Sequence, residues 1–441
     1  MFTVRRSATA LAAGAVLGAV GAASLAPAAY AAPSPTPSPS VQLPTGLYGT
    51  TDPTYDGVWR QSLAFMAQRT TGVKPAQEAL DWLVGQQCAS GGFPAYRADA
   101  SKACTPDTFL DVNATAVAVT ALTGFGPALP SEEPSDGPSD GATPSASSTG
   151  APTDPVGAAL VTAVDWLKGN QNKDGGWGSG PGAPSDANST SLVIGALAAA
   201  GQRPGSVKSV DGRTPYDALL TFALPCTDKT APGAFAFQPK DGKLTANDDA
   251  TAAAVLGGLG KGLSVRGVDP SQPVGCETPA KPTAERAARN GASYLAGVLT
   301  KSDHLAMPPM PGAADSTPQP DTGNTADAVV ALGASGHKDK AAAAFAWLKR
   351  NGVAWAEKAG PAAWAQLVFA AQTMGTDPRA FGDVDLVERL NATGPKPESR
   401  ATSSTDAEEA IGPREWVGIG AGVVAIAGLG FLLAGRRKGQ Q

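Results

Sequence analysis

The chain has 441 residues, a formal net charge of −5, 53 glycines and only 6% aromatic residues. That length admits one large domain or two small ones. The mild negative charge, with no basic cluster, excludes a nucleic-acid partner. The four cysteines form no CxxC pair and stand apart from the two histidines, so no metal site and no cofactor are expected.

Residues 1–31 have the pattern of a secretory signal: Arg5 and Arg6, an apolar run, then Ala29-Tyr30-Ala31 as a small-x-small cleavage site. A Pro/Ser-rich linker follows over 32–54. A helix is expected from Tyr55 to Thr70, carrying Trp59, Leu63, Phe65 and Met66.

A helical hairpin then begins to repeat. Its first copy spans 79–122, with ALDWLVGQQ, Gly91-Gly92-Phe93, and an apolar run opening at Asp111-Val-Asn-Ala-Thr. Residues 130–155 are acidic and low in complexity, and read as a disordered insertion. The second copy is the clearest. An outer helix carries Trp166 and Leu167, Gln171 leads into Gly176-Trp177, and a nearly wholly apolar helix runs from Asp186-Ala-Asn-Ser-Thr to Gly201. A helix apolar on all sides must be surrounded by protein, so each copy pairs an outer helix with an inner one. The third copy, 214–259, carries Phe235 and Asn247-Asp-Asp-Ala-Thr; the fourth, 292–333, carries Asp321-Thr-Gly-Asn-Thr. The fifth runs from Phe345 through AAWAQLVFAAQTMG and lacks the Asp. Residues 261–282 and 301–320 read as Pro/Gly-rich loops. Repetition on this scale means that hairpins bury their faces against one another, which makes 55–391 a single all-α domain.

Beyond it, 392–415 is a polar spacer. Residues 416–435 hold no charge over a length that suits a membrane crossing. Arg436, Arg437 and Lys438 follow, placing the 436–441 tail in the cytoplasm and the body outside. An exported chain meets oxidising conditions. Cys88 and Cys104 flank one outer-to-inner loop and are paired on that ground, and Cys226 pairs with Cys276 by remainder.

The Gln-x(4)-Gly-Trp turn and its neighbours over about 76–375 resemble the prenyltransferase/squalene-oxidase repeat. That resemblance implies an α/α toroid of five to six helical hairpins, with the inner helices running one way. Their N-termini would ring one mouth, and the Asp-x-Asn-x-Thr residues would form a polar collar there. The expected ligand-binding residues are Asp111, Asn113, Asp186, Asn188, Asn247, Asp249, Asp321 and Asn324. Capping the helix starts is the plainer use of such side chains. A calcium loop is discounted, because the glycine and closing glutamate of an EF-hand are missing.

The superfamily's acid motif, Asp-x-Asp-Asp, finds only Ala246-Asn247-Asp248-Asp249 here, and the zinc set of protein prenyltransferases is missing. Non-catalytic binding of a small molecule at the cell surface is therefore expected, as an accessory to nutrient (cobalamin-like) uptake beside a membrane transporter. The alternatives are an extracytoplasmic terpene-cyclase or prenyltransferase-like enzyme, and a structural or protein-binding surface domain.

Overall fold

The computed structural model describes residues 43–398, apart from 51–53, 56, 127–128, 130–153, 270–272 and 308–317. The signal, the disordered insertion up to residue 153, and the membrane helix expected at 416–435 lie outside the described residues. Among the described residues no helix is long and apolar enough to cross a membrane.

Among the described residues the regular structure is almost entirely α-helical. Six of its helices are buried nearly all round: α1 (Gly57–Thr70), α3 (Val112–Leu122), α5 (Ala187–Ala199), α7 (Asp248–Gly258), α9 (Thr322–Ala334) and α11 (Pro361–Thr373). Each packs on the next in that order, and α11 packs on α1, so their contacts form a closed cycle. Six more alternate with them in the chain: α2 (Gln77–Gly85), α4 (Pro155–Gly169), α6 (Pro215–Leu220), α8 (Ala284–Lys301), α10 (Lys338–Ala359) and α12 (Leu386–Asn391). These bury one face only; in α8 the buried residues include Ala288, Ala292, Leu295 and Leu299, at helical spacing. Asp154 caps α4 and Pro155 opens it, so the helix takes in the last two residues read as insertion.

The stretch read as a loop at 301–320 contains two strands, β1 (Leu305–Met307) and β2 (Gln319–Asp321), paired antiparallel with Leu305 opposite Asp321. This pair is a longer version of a contact made in the other hairpins. There the residue after the Gly turn bridges the helix cap: Phe93 with Asp111, and Asp186 N–H to the Trp177 carbonyl at 2.9 Å.

Two features of the repeat now have a physical reason. Gly91 and Gly175 stand at φ +98° and +92°, and a Cβ on either would run into the backbone of Thr162 or Thr214. The preceding glutamines hold these turns, since Gln87 and Gln171 each donate Nε2–H to the carbonyl of Gly91 or Gly175 at 2.8 Å. The repeated threonine then clamps turn to helix. Thr115, Thr190, Thr251 and Thr325 each accept, at Oγ1, the backbone N–H of Phe93, Trp177, Phe235 and Leu305, at 2.8–3.1 Å. A buried N–H is costly when unpaired, so this clamp is strongly specified.

The cycle closes with both ends of the domain. Leu47 and Tyr48, in the stretch read as linker, are buried, and Tyr48 is wholly so. Gln61 on α1 accepts the Tyr48 N–H at 2.8 Å and donates to the carbonyls of Gly46 and Ala79. Gln68 donates to both the Tyr48 hydroxyl and Asn391 on α12, each at 2.8 Å. The Gly49 N–H reaches the Thr393 carbonyl, and the Glu398 N–H that of Lys74. Residues 393–398, read as polar spacer beyond Asn391, thus pack on the body.

Cys88–Cys104 and Cys226–Cys276 are disulfide-bonded, and no described cysteine is free. Two such bonds fit a chain that matures in an oxidising compartment.

Candidate functional site

The ends of the cycle differ. At the C-terminal ends of the inner helices the segment 261–268 crosses as a plug. Leu263 is buried there, Lys261 donates to the Ala334 carbonyl at 2.9 Å, and Thr373 donates to the Val265 carbonyl at 2.7 Å. Inside, between Met66, Val117, Thr120, Ser191, Ala253 and Leu263, only about 20 Å³ is left open. That is room for about one water molecule. That space is too small for an organic ligand, whereas a hollow of about 680 Å³ opens at the plugged end, lined by Asp217, Gly258, Lys261, Thr283, Glu285 and Arg289.

At the N-terminal mouth, four of the eight expected residues are helix caps. Asp111, Asp186 and Asn247 each accept, at 2.7 Å, the N–H three residues on, from Ala114, Ser189 and Ala250. Asp321 accepts the N–H of Asn324 at 3.1 Å and its Nδ2–H at 2.8 Å. Asp186 is 1% exposed, with its second oxygen on the Ser189 hydroxyl. Burial lifts its pKa to about 6 against those hydrogen bonds, and it has no access to a ligand. Burial also raises the pKa of Asp111 and of Asp321, the latter with help from Asp249.

A hollow of about 320 Å³ lies between the starts of α7 and α9, lined by Asn247, Asp248, Asp249, Tyr294, Leu305, Ala306, Asp321 and Asn324, with Ala246 beside them. It gathers four of the expected residues: Asn247, Asp249, Asp321 and Asn324. Asn188 stands behind it and donates Nδ2–H to Asp249 at 3.0 Å. Asp111 lines a separate groove of about 640 Å³ with Tyr55, Tyr96 and Phe109, beside the Cys88–Cys104 loop. Asn113 lines neither hollow.

Three further residues belong to this mouth. Tyr294 donates its hydroxyl to Asp248 at 2.7 Å, and burial together with that carboxylate holds the phenol strongly in its protonated form. Asp327, one turn into α9, is 3% exposed and accepts from Gln366 of α11 at 3.0 Å. Burial first, then the charges of Asp249 and Asp321, push its pKa up to about 7. The sequence held one sign of it: Asp327 is the one ionisable side chain inside the apolar run Ala326–Ala334. Among the described residues no three His, Cys, Asp or Glu side chains are grouped to hold a metal ion.

No family model matches the chain, and no curated protein matches it. A solved structure described as that of a protein from Actinoplanes aligns with 71% of this chain and 100% of its own, at 17% identity and a TM-score of 0.31, too low to carry an argument.

Proposed function

We propose that residues 43–398 form an α/α toroid of the prenyltransferase/squalene-oxidase repeat kind, held outside the cell by a C-terminal membrane helix. Its function is to bind a small molecule at the N-terminal mouth, as an accessory to uptake by a membrane transporter. The cycle of six inner helices supports the toroid. The carrying observation for binding is the hollow between α7 and α9, where Asp249, Asp321 and Asn324 converge beside an apolar wall of Leu305 and Ala306. Ligand sites have this form, an apolar surface with a few convergent polar groups. A corrinoid is far larger than about 320 Å³, so the site favours a smaller ligand over cobalamin.

The rival enzyme reading draws on Asp327, whose pKa of about 7 suits a general acid. That carboxyl is 3% exposed and held by Gln366, which speaks against contact with a substrate. Native mass spectrometry of the full-length protein, incubated with a small-molecule extract of its growth medium, tests the proposal. A bound mass lost in Asp249→Asn supports it. No bound mass, or one indifferent to Asp249→Asn, overturns it.

A further inference from the structure

Independently of the hollow between α7 and α9, we propose that the groove lined by Tyr55, Tyr96 and Phe109 binds a neutral oligosaccharide. The exposure of its rings is the first argument. Tyr96 and Phe109 are 54% and 64% exposed, and they are the two exposed aromatic side chains among the described residues. Both line this one groove of about 640 Å³, and Tyr55 stands beside Tyr96 with ring centroids 6.1 Å apart. Apolar side chains scattered singly over a surface are ordinary, whereas rings gathered in one groove mark a binding surface. The volume is within the range of ordinary ligand sites.

The rings are also held in place before any ligand arrives. The Cys88–Cys104 bond closes the loop that carries Tyr96. Tyr55 and Tyr96 bridge antiparallel, and the Arg97 N–H donates to the Thr54 carbonyl at 2.8 Å. Phe109 lies over Gly180 of the second hairpin, where a Cβ would collide with its ring. Fixed aromatic faces lose little freedom on binding.

The polar lining selects the ligand class. Asp99, Asp107 and Asp111 bring carboxylates to the groove, and an ionised carboxylate only accepts hydrogen bonds. The two cations there are already engaged. Arg97 is 8% exposed and donates to Gln86 at 2.9 Å, and Lys102 pairs with Asp99 at 3.3 Å. An acidic polymer would therefore be repelled. A Pro-rich peptide, another ligand of aromatic grooves, lacks the N–H donors that carboxylates call for. A pyranose supplies both parts: its C–H face lies on an aromatic ring, and its hydroxyl groups donate to carboxylates.

Calorimetric titration of the full-length protein tests this with the hexamers of β-1,4-glucose, α-1,4-glucose, β-1,4-mannose and β-1,4-N-acetylglucosamine. The α-1,4-galacturonate hexamer is the acidic counterpart. The expected result is binding of at least one neutral hexamer, with little dependence on salt, and not of the galacturonate. Tyr96→Ala and Phe109→Ala should each lower that affinity about tenfold, and thermal melting checks that both variants fold. Tyr96→Ala provides the test if Phe109→Ala folds poorly. Asp249→Asn, in the other hollow, should change nothing, so the two sites stand or fall separately. No binding of any neutral hexamer, equal binding of the galacturonate, or affinity indifferent to both ring variants overturns the assignment. A synthetic peptide of residues 32–45 held by these rings where no sugar is held would overturn it in favour of a Pro-rich ligand.

Discussion

Asn188 donates Nδ2–H to Oδ2 of Asp249 at 3.0 Å, tying α5 to α7. The two residues hold the same place in their repeats, each two positions after the cap, at Asp186 and Asn247. Caps at these helix starts point back to their own backbone, whereas the residue two further on faces a neighbouring helix. The caps fix the helix starts, and Asn247 and Asp321 also line the mouth, while Asn188 and Asp249 tie neighbouring inner helices together.

The threonine clamp is open to a direct test. Thr190→Val keeps the shape but leaves the Trp177 N–H, now on Thr190 Oγ1 at 3.1 Å, without an acceptor. A loss of about 1–3 kcal/mol is expected, measured by denaturant unfolding. Thr300→Val removes only a bond to a carbonyl of its own helix, from Ala296, and should cost clearly less.

Closure of the cycle depends on Gln61. Gln61→Leu strands the Tyr48 N–H and the carbonyls of Gly46 and Ala79. Several kilocalories of stability should be lost, about 1–3 kcal/mol for each buried group left unpaired. Deleting the chain up to residue 50 should destabilise the body to a similar degree, as thermal melting would show. A linker with no structural part would leave the melting temperature unchanged.

Much of this was legible in the sequence and part was not. The hairpins showed because Gly, the aromatic, Asp and Thr recur at short, local spacings. The sixth inner helix was legible as a lone helix. Its outer partner was not, because α12 lies at the far end of the domain and no local pattern joins them. Gly46-Leu47-Tyr48 is a fourth Gly-x-aromatic turn, after those ending in Phe93, Trp177 and Phe235, with Gly46 at φ +94°. It was hidden by the Pro/Ser-rich residues before it and by Gln61 standing where the others have Thr. Asp327 was passed over because helical periodicity places it on the interior, where an ionisable group is not expected.

The disulfides should contribute unequally. Cys226–Cys276 spans 50 positions and Cys88–Cys104 spans 16. Loop-closure entropy assigns about 4 and about 3 kcal/mol to them. Paired Cys→Ser variants, unfolded by denaturant, should fall in that order.

Asp327 gives a pH dependence with a defined sign. Its folded pKa of about 7 stands above the ordinary value near 3.9, so between these the folded state holds a proton that the unfolded state has lost. Stability contributed by this group is complete below about pH 4 and falls as pH rises towards about 7, by up to about 1.4 kcal/mol per unit. Asp327→Asn keeps an acceptor for Gln366 and should flatten that slope in thermal melts.

Hydrogen–deuterium exchange of the full-length protein, with and without a small-molecule extract of its growth medium, tests the position of the site most directly. The account predicts slower exchange at 246–252 and 319–327, around the hollow, and no change at 258–261 and 283–289, at the opposite end. Protection confined to the opposite end, or none at all, would contradict it.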